Sequence, residues 1–161
     1  MAKELTLNLT GVIQAQYKKT GNSTITGAVV NVNQTGFQQT LINGTGDADD
    51  VVNLLYSARH AIIDSAGVTL DLTSLTDEFG DSISITTKKL LFIKNLAASG
   101  SGFELICSSI WATAINLRAQ QWVMYGCALS NGMGDIPSSL AFTTASTTSF
   151  NFDILVAGID D

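Results

Sequence analysis

Two stretches decide the fold: LDLTSLTDEFGDSISITTKKLLFIKNL, residues 70–96, and SFNFDILVAGI, residues 149–159. The first reads as a strand, an acidic turn around Gly80, a short alternating strand at Ser82–Ile85, and a long apolar strand that stops at Asn95. The second is another strand, with Phe150, Phe152, Ile154 and Val156 in period two and smaller residues after them. A nearly continuous apolar run such as residues 89–96 suits a strand covered on both faces.

Working outward, the same grammar recurs along the chain. Leu5, Leu7 and Leu9 alternate with Thr6, Asn8 and Thr10. Ile13, Ala15 and Tyr17 continue on one face, with a slip at Gly11 that reads as a bulge. Further strands are expected over residues 24–32 and 36–42, with a turn at 33–36. Residues 51–58, 60–63, 68–75, 102–107, 111–117, 121–129 and 139–144 complete the set. Turns are expected at 64–67 and 77–81. Only residues 112–121 approach a helical period. Pro137 lies in a loop, where it removes no ladder hydrogen bond. Many short strands about ten residues apart predict an all-β fold, a single-domain β-sandwich or jelly roll over residues 1–161 with little helix. Phe92, Ile93, Leu105, Ile106, Phe152, Ile154 and Val156 are expected to contribute to one core.

Composition narrows the function. The chain has 161 residues, 45% hydrophobic and only 14% charged, against a usual charged share of about 25%. Ser, Thr and Asn together exceed a quarter of the sequence. Such a surface suits β-structure and packing against other chains, where charge is costly to desolvate. Net charge is −6, which disfavours nucleic-acid binding. The doublets Lys18-Lys19 and Lys88-Lys89 read as solvated strand ends. No apolar run reaches the ~20 residues of a membrane helix, and the opening MAKELTLNL lacks a secretory signal, so synthesis in the cytoplasm is expected.

Residues able to do chemistry are few. His60 is the only histidine, and no GxSxG elbow accompanies it, so a strand or turn histidine is expected rather than a catalytic one. Asp47, Asp49 and Asp50 form an acidic loop without EF-hand spacing, and Asp77, Glu78 and Asp81 surround a Gly turn. Both read as solvated acids, as do Asp160 and Asp161, and no metal or cofactor is expected. The Gly44–Gly46 and Gly132–Gly134 segments lack the Lys-Ser/Thr of a phosphate loop. Cys107 and Cys127 read as buried thiols. Trp111, Trp122 and Tyr125 suit a core or an interface, and would form a sugar-stacking platform if exposed.

From residue 44 to 96 the sequence carries a run of recognisable pieces. They are Gly44-Thr45-Gly46, the segment 51–56 with Arg59 after it, Leu70-Asp71-Leu72, Leu75-Thr76-Asp77-Glu78-Phe79-Gly80-Asp81, and the strand 83–95 ending Ile93-Lys94-Asn95. With the closing Phe152-Asp153-Ile154-Leu155-Val156-Ala157-Gly158, these resemble a family of virion structural proteins of tailed bacteriophages. About half the chain takes part. The turn at residues 132–137 only approximates the family's glycine-rich one. The resemblance implies a jelly-roll virion component that is not an enzyme, often trimeric. A capsid decoration or cement protein bound to the major capsid protein on the virion surface is the first expectation. A receptor- or glycan-binding module of a tail fibre is the alternative. The N-terminal strand, with Leu5, Leu7 and Leu9 on one face, is the candidate contact arm.

Overall fold

The computed structural model describes residues 7–18, 29–43, 51–64, 66–77, 80–108, 110, 114–126, 132–134 and 136–160, with side chains from Val52 onward. Among these residues there are strands and turns but no helix. The strands are β1 (Leu7–Lys18), β2 (Val29–Asn43), β3 (Val51–Val52), β4 (Leu54–Ile62), β5 (Val68–Asp71), β6 (Leu75–Thr76), β7 (Ser82–Ile83), β8 (Thr87–Asn95), β9 (Glu104–Cys107), β10 (Ile115–Arg118), β11 (Trp122–Gly126), β12 (Ser139–Thr143) and β13 (Phe150–Ile159).

The chain divides into two compact units, Thr6–Leu41 and the body that contains Ile42–Asp161. In the body, two four-stranded sheets have the orders β11-β8-β13-β4 and β10-β9-β12-β5. Their pairing is nested: β4 with β13, β5 with β12, β8 with β11 and β9 with β10, all antiparallel. The short hairpin β6–β7 lies between β5 and β8 in sequence and pairs Leu75 with Ile83. At the start of the body, Ile42 and Asn43 pair in parallel with Val51 and Val52.

The alternation of β13 sets the core. Phe150, Phe152, Ile154 and Val156 are buried, and β13 pairs on both edges, with β4 and β8. From the other sheet, Leu105, Cys107, Leu117, Leu140 and Phe142 join them in one cluster, so the body is a β-sandwich. Phe142 and Phe152 meet across it with ring centroids 4.6 Å apart. Full burial of each such ring is worth roughly 1.5–3 kcal/mol.

Several expectations need correction. Phe92 and Ile106 are half-buried and lie outside the core cluster: pairing of Ile93 with Ile154 turns Phe92 and Leu155 to the opposite face, and pairing of Leu105 with Leu117 does the same for Ile106. The expected turn at residues 33–36 does not interrupt β2, which runs unbroken from Val29 to Asn43. The irregularity at Gly11 is present. Thr10 pairs with Gln38 and Val12 with Thr35, so Gly36 and Phe37 stand against Gly11 alone. Residues 115–118 form a strand, as expected for 111–117, despite the helix-like period of that window. Strand β4 also runs through Arg59 without the expected break.

Lys88 and Lys89 are buried rather than solvated, Lys89 at 0% exposure. Between Leu90↔Ala157 and Lys88↔Gly158 the β8 ladder gains one residue, and that residue is Lys89. The bulge brings the backbones so close that a Cβ on Gly158 would collide with the Thr87 carbonyl. Burial also pushes the Lys88 ammonium below its ordinary pKa.

Candidate functional site

The outer face of the β11-β8-β13-β4 sheet follows from the register. One row across the four strands is Trp122, Lys94, Asp153 and Arg59, and the next is Met124, Phe92, Leu155 and Ser57. Trp122 is 59% exposed. Its ring stands 6.2 Å from that of Phe92, tilted by 31°. Phe92 and Leu155 then floor an open groove of about 450 Å³, rimmed by Ser57, Arg59 and Asp153. A second groove of about 450 Å³ is lined by Trp122 itself with Leu117, Gln120 and Gln121.

Arg59 grips Asp153 through two bonds, Nε to Oδ1 at 2.7 Å and Nη2 to Oδ2 at 3.1 Å. The hydrogen bond to Arg59 holds the Asp153 carboxyl below its usual range, and the same bond raises the guanidinium. Both partners are at the surface, so the pair orders the face more than it stabilises the fold.

The position of Trp122 is fixed by a buried amide. Asn95 is fully buried at the end of β8. Its Nδ2 donates to the Leu117 carbonyl at 2.9 Å and the Phe103 carbonyl at 3.2 Å, and its Oδ1 accepts from Ala97 N–H at 2.8 Å. Its backbone N–H donates to the Gln121 carbonyl at 2.9 Å, and its carbonyl accepts from Gln120 N–H at 3.1 Å. These bonds tie β8 to the Arg118–Gln121 turn, where Gln120 takes φ +66°. Strand β11 begins at the next residue, so Trp122 sits on a rigid mount.

His60 lies on the inner face of the same sheet. Tyr56 Oη and His60 Nε2 are 2.9 Å apart, and the imidazole stacks on Phe152 at 5.4 Å. Burial lowers the His60 pKa and raises that of Tyr56. No serine, cysteine or carboxylate partner is among these contacts.

The other sequence-derived candidates are distributed as follows. Leu5, Asp47, Asp49, Asp50, Glu78, Trp111, Cys127 and Asp161 lie outside the described residues. In β1, Leu7 pairs with Leu41 and Leu9 with Gln39. Asp77 builds the expected turn: its Oδ1 accepts from Asp81 N–H at 2.9 Å, and its carbonyl accepts from Gly80 N–H at 3.0 Å. Gly80 has φ +88°, which favours glycine. Gly132 stands against the Lys88 carbonyl, and Met133 N–H donates to that carbonyl at 2.8 Å. Cys107 is buried and Tyr125 half-buried. Among the described residues no group of three or more His, Cys, Asp or Glu is placed to hold a metal ion, and no helix is long and apolar enough to cross a membrane. The groove residues Phe92, Leu155, Arg59 and Asp153 were not singled out by sequence as a site. The signal was the alternation Asn151, Asp153, Leu155 along β13, which sets a second face opposite the core.

Comparison with protein-family models, with curated proteins and with solved structures finds no match to this chain. What fold and site define is a class: an all-β sandwich with one ordered aromatic and charged outer face, and a separate long hairpin.

Proposed function

We propose that this chain is a non-enzymatic structural protein of a phage virion, a jelly-roll subunit that decorates and cements the head shell as a homotrimer bound to the major capsid protein. The nested pairing of eight strands in two sheets supports the jelly-roll reading. The resemblance carried by residues 44–96 and 152–158 supports the virion reading.

The observation that carries the attachment role is the β1–β2 hairpin. It holds eleven paired positions over Leu7–Lys18 and falls in a unit of its own. Strand β1 is an edge of its sheet in the order β1-β2-β3, and an edge strand is a template on which another chain can pair. Two of the eight basic residues and none of the fourteen acidic ones lie in Thr6–Leu41. That unit therefore carries +2 and the rest of the sequence −8. Such an arm suits contact with an acidic subunit surface of the assembled shell. Many copies, each burying a modest area, then stabilise the shell by avidity, and closed symmetry favours trimers at three-fold positions.

The test is light scattering on the purified chain, followed by cosedimentation with heads that lack it. A trimer that sediments with heads is expected, and deleting residues 2–9 should weaken attachment more than folding. A strict monomer that ignores heads and binds host cells would overturn the proposal in favour of a receptor-binding module.

A further inference from the structure

We propose that the outer face of the β11-β8-β13-β4 sheet is a saccharide-binding platform for a short oligosaccharide, with Trp122 stacking on one pyranose ring and the Arg59–Asp153 pair holding the hydroxyls of another. The inference goes beyond head attachment, which rests on the hairpin, and stands or falls separately from it.

The chemistry of the face selects the ligand. A pyranose has an apolar face of C–H groups and a polar edge of hydroxyls. The groove matches both, with an apolar floor at Phe92 and Leu155 and a rim of Ser57, Arg59 and Asp153. Arg59 spends two N–H donors on Asp153 and keeps the remainder for a ligand, while the carboxylate retains acceptor capacity. Donor and acceptor are thus presented side by side, the pattern that neighbouring hydroxyls require. The row from Trp122 to Arg59 crosses three inter-strand steps, roughly 14 Å, enough for a short oligosaccharide. All these residues sit on strands, and Asn95 anchors the turn before Trp122, so little conformational freedom is lost on binding.

Other occupants fit less well. A protein interface needs about 800 Å² from each partner. Trp122 is the only large apolar side chain on this face that is strongly exposed among the described residues, whereas a protein interface is built on a cluster of such anchors. A nucleic acid is disfavoured by the net charge of −6.

The experiment applies the full-length chain to an array of neutral oligosaccharides of glucose, galactose, mannose, rhamnose and N-acetylglucosamine. The strongest hit is then titrated by intrinsic fluorescence, in which Trp111 and Trp122 are the only tryptophans. Saturable binding is expected. Trp122→Ala should lower affinity about tenfold or more, the scale of one aromatic contact. Trp122→Phe should keep most of it, and Arg59→Gln or Asp153→Asn should lower it severalfold. Because Trp122 is exposed, Trp122→Ala should melt like the parent, and Trp111→Phe in the parent should bind normally. No hit on the array, or binding that survives Trp122→Ala, would overturn the proposal. So would a Trp122→Ala variant whose only change is in its oligomeric state, since that would mark the face as a contact between copies.

Discussion

The sandwich has two outer faces built on the same plan, and they differ in chemistry. On the β10-β9-β12-β5 sheet the outward positions are Asn116, Arg118, Glu104, Ile106, Thr143, Ala141, Thr69, Ser139 and Asp71. Small and hydroxylic residues dominate, and the Arg118–Glu104 ion pair there is a single contact, Nε to Oε1 at 3.3 Å. On the β11-β8-β13-β4 sheet the equivalent positions hold Trp122, Phe92, Met124 and Leu155 beside a two-bonded Arg59–Asp153 pair. Folding needs only the inner faces to be apolar. A cluster of large apolar side chains around the exposed Trp122, against the single half-buried Ile106 on the other face, therefore points to a use other than the core.

The sharpest test of inside against outside is a pair of neighbours on β13. Ile154→Asp would bury a charge in the core and should cost several kcal/mol, enough to prevent folding. Leu155→Asp, one residue on, should leave a folded protein with less than about 1.5 kcal/mol lost in urea denaturation. Equal effects at both positions would erase the distinction between the faces.

Next in size is Asn95→Ala. It removes three side-chain hydrogen bonds and strands buried carbonyls, at a cost of about 2–3 kcal/mol. It should also loosen the mount of Trp122, seen as faster amide exchange in the Arg118–Gln121 turn. A stable variant with unchanged exchange would detach the aromatic face from the core.

The third test is pH. Burial lowers the His60 pKa from its ordinary 6.5, so the fold accepts the neutral ring. Its contribution to stability is complete above that value and is lost as pH falls through it toward the lower folded-state pKa. Melting temperature should drop on acidification from pH 7 to about 5, and His60→Gln should remove that part of the slope.

The smallest effect is a double-mutant cycle on Arg59 and Asp153 against one on Arg118 and Glu104. The first coupling should be the larger, and both should shrink with added salt. Equal couplings would remove the electrostatic half of the contrast.

Sequence made the strands legible where period two is strong. β13, β8, the Asp77–Asp81 turn and the irregularity at Gly11 could all be read from the residues alone. It failed where tertiary pairing sets the phase. Phe92 and Ile106 look like core residues, and only the register against β13 and β10 turns them outward. Lys88 and Lys89 look like solvated ends, and only the bulge places Lys89 inside. The Asn33–Gly36 stretch looks like a turn because Asn and Gly favour turns, yet the ladder to β1 carries it through as strand. The groove was hardest to see, since Arg59 and Asp153 are 94 residues apart.

That same separation governs how the protein can be born. Strand β13 sits between β4 and β8, so during synthesis the sheet remains two disconnected pieces until residues 150–159 leave the ribosome. Earlier strands wait with open edges and uncovered apolar faces, the condition in which chains aggregate or recruit chaperones. Such distant pairing also places folding toward the slow, millisecond-to-second end for small domains. Closure of the sandwich is therefore a late event, gated by the arrival of one strand.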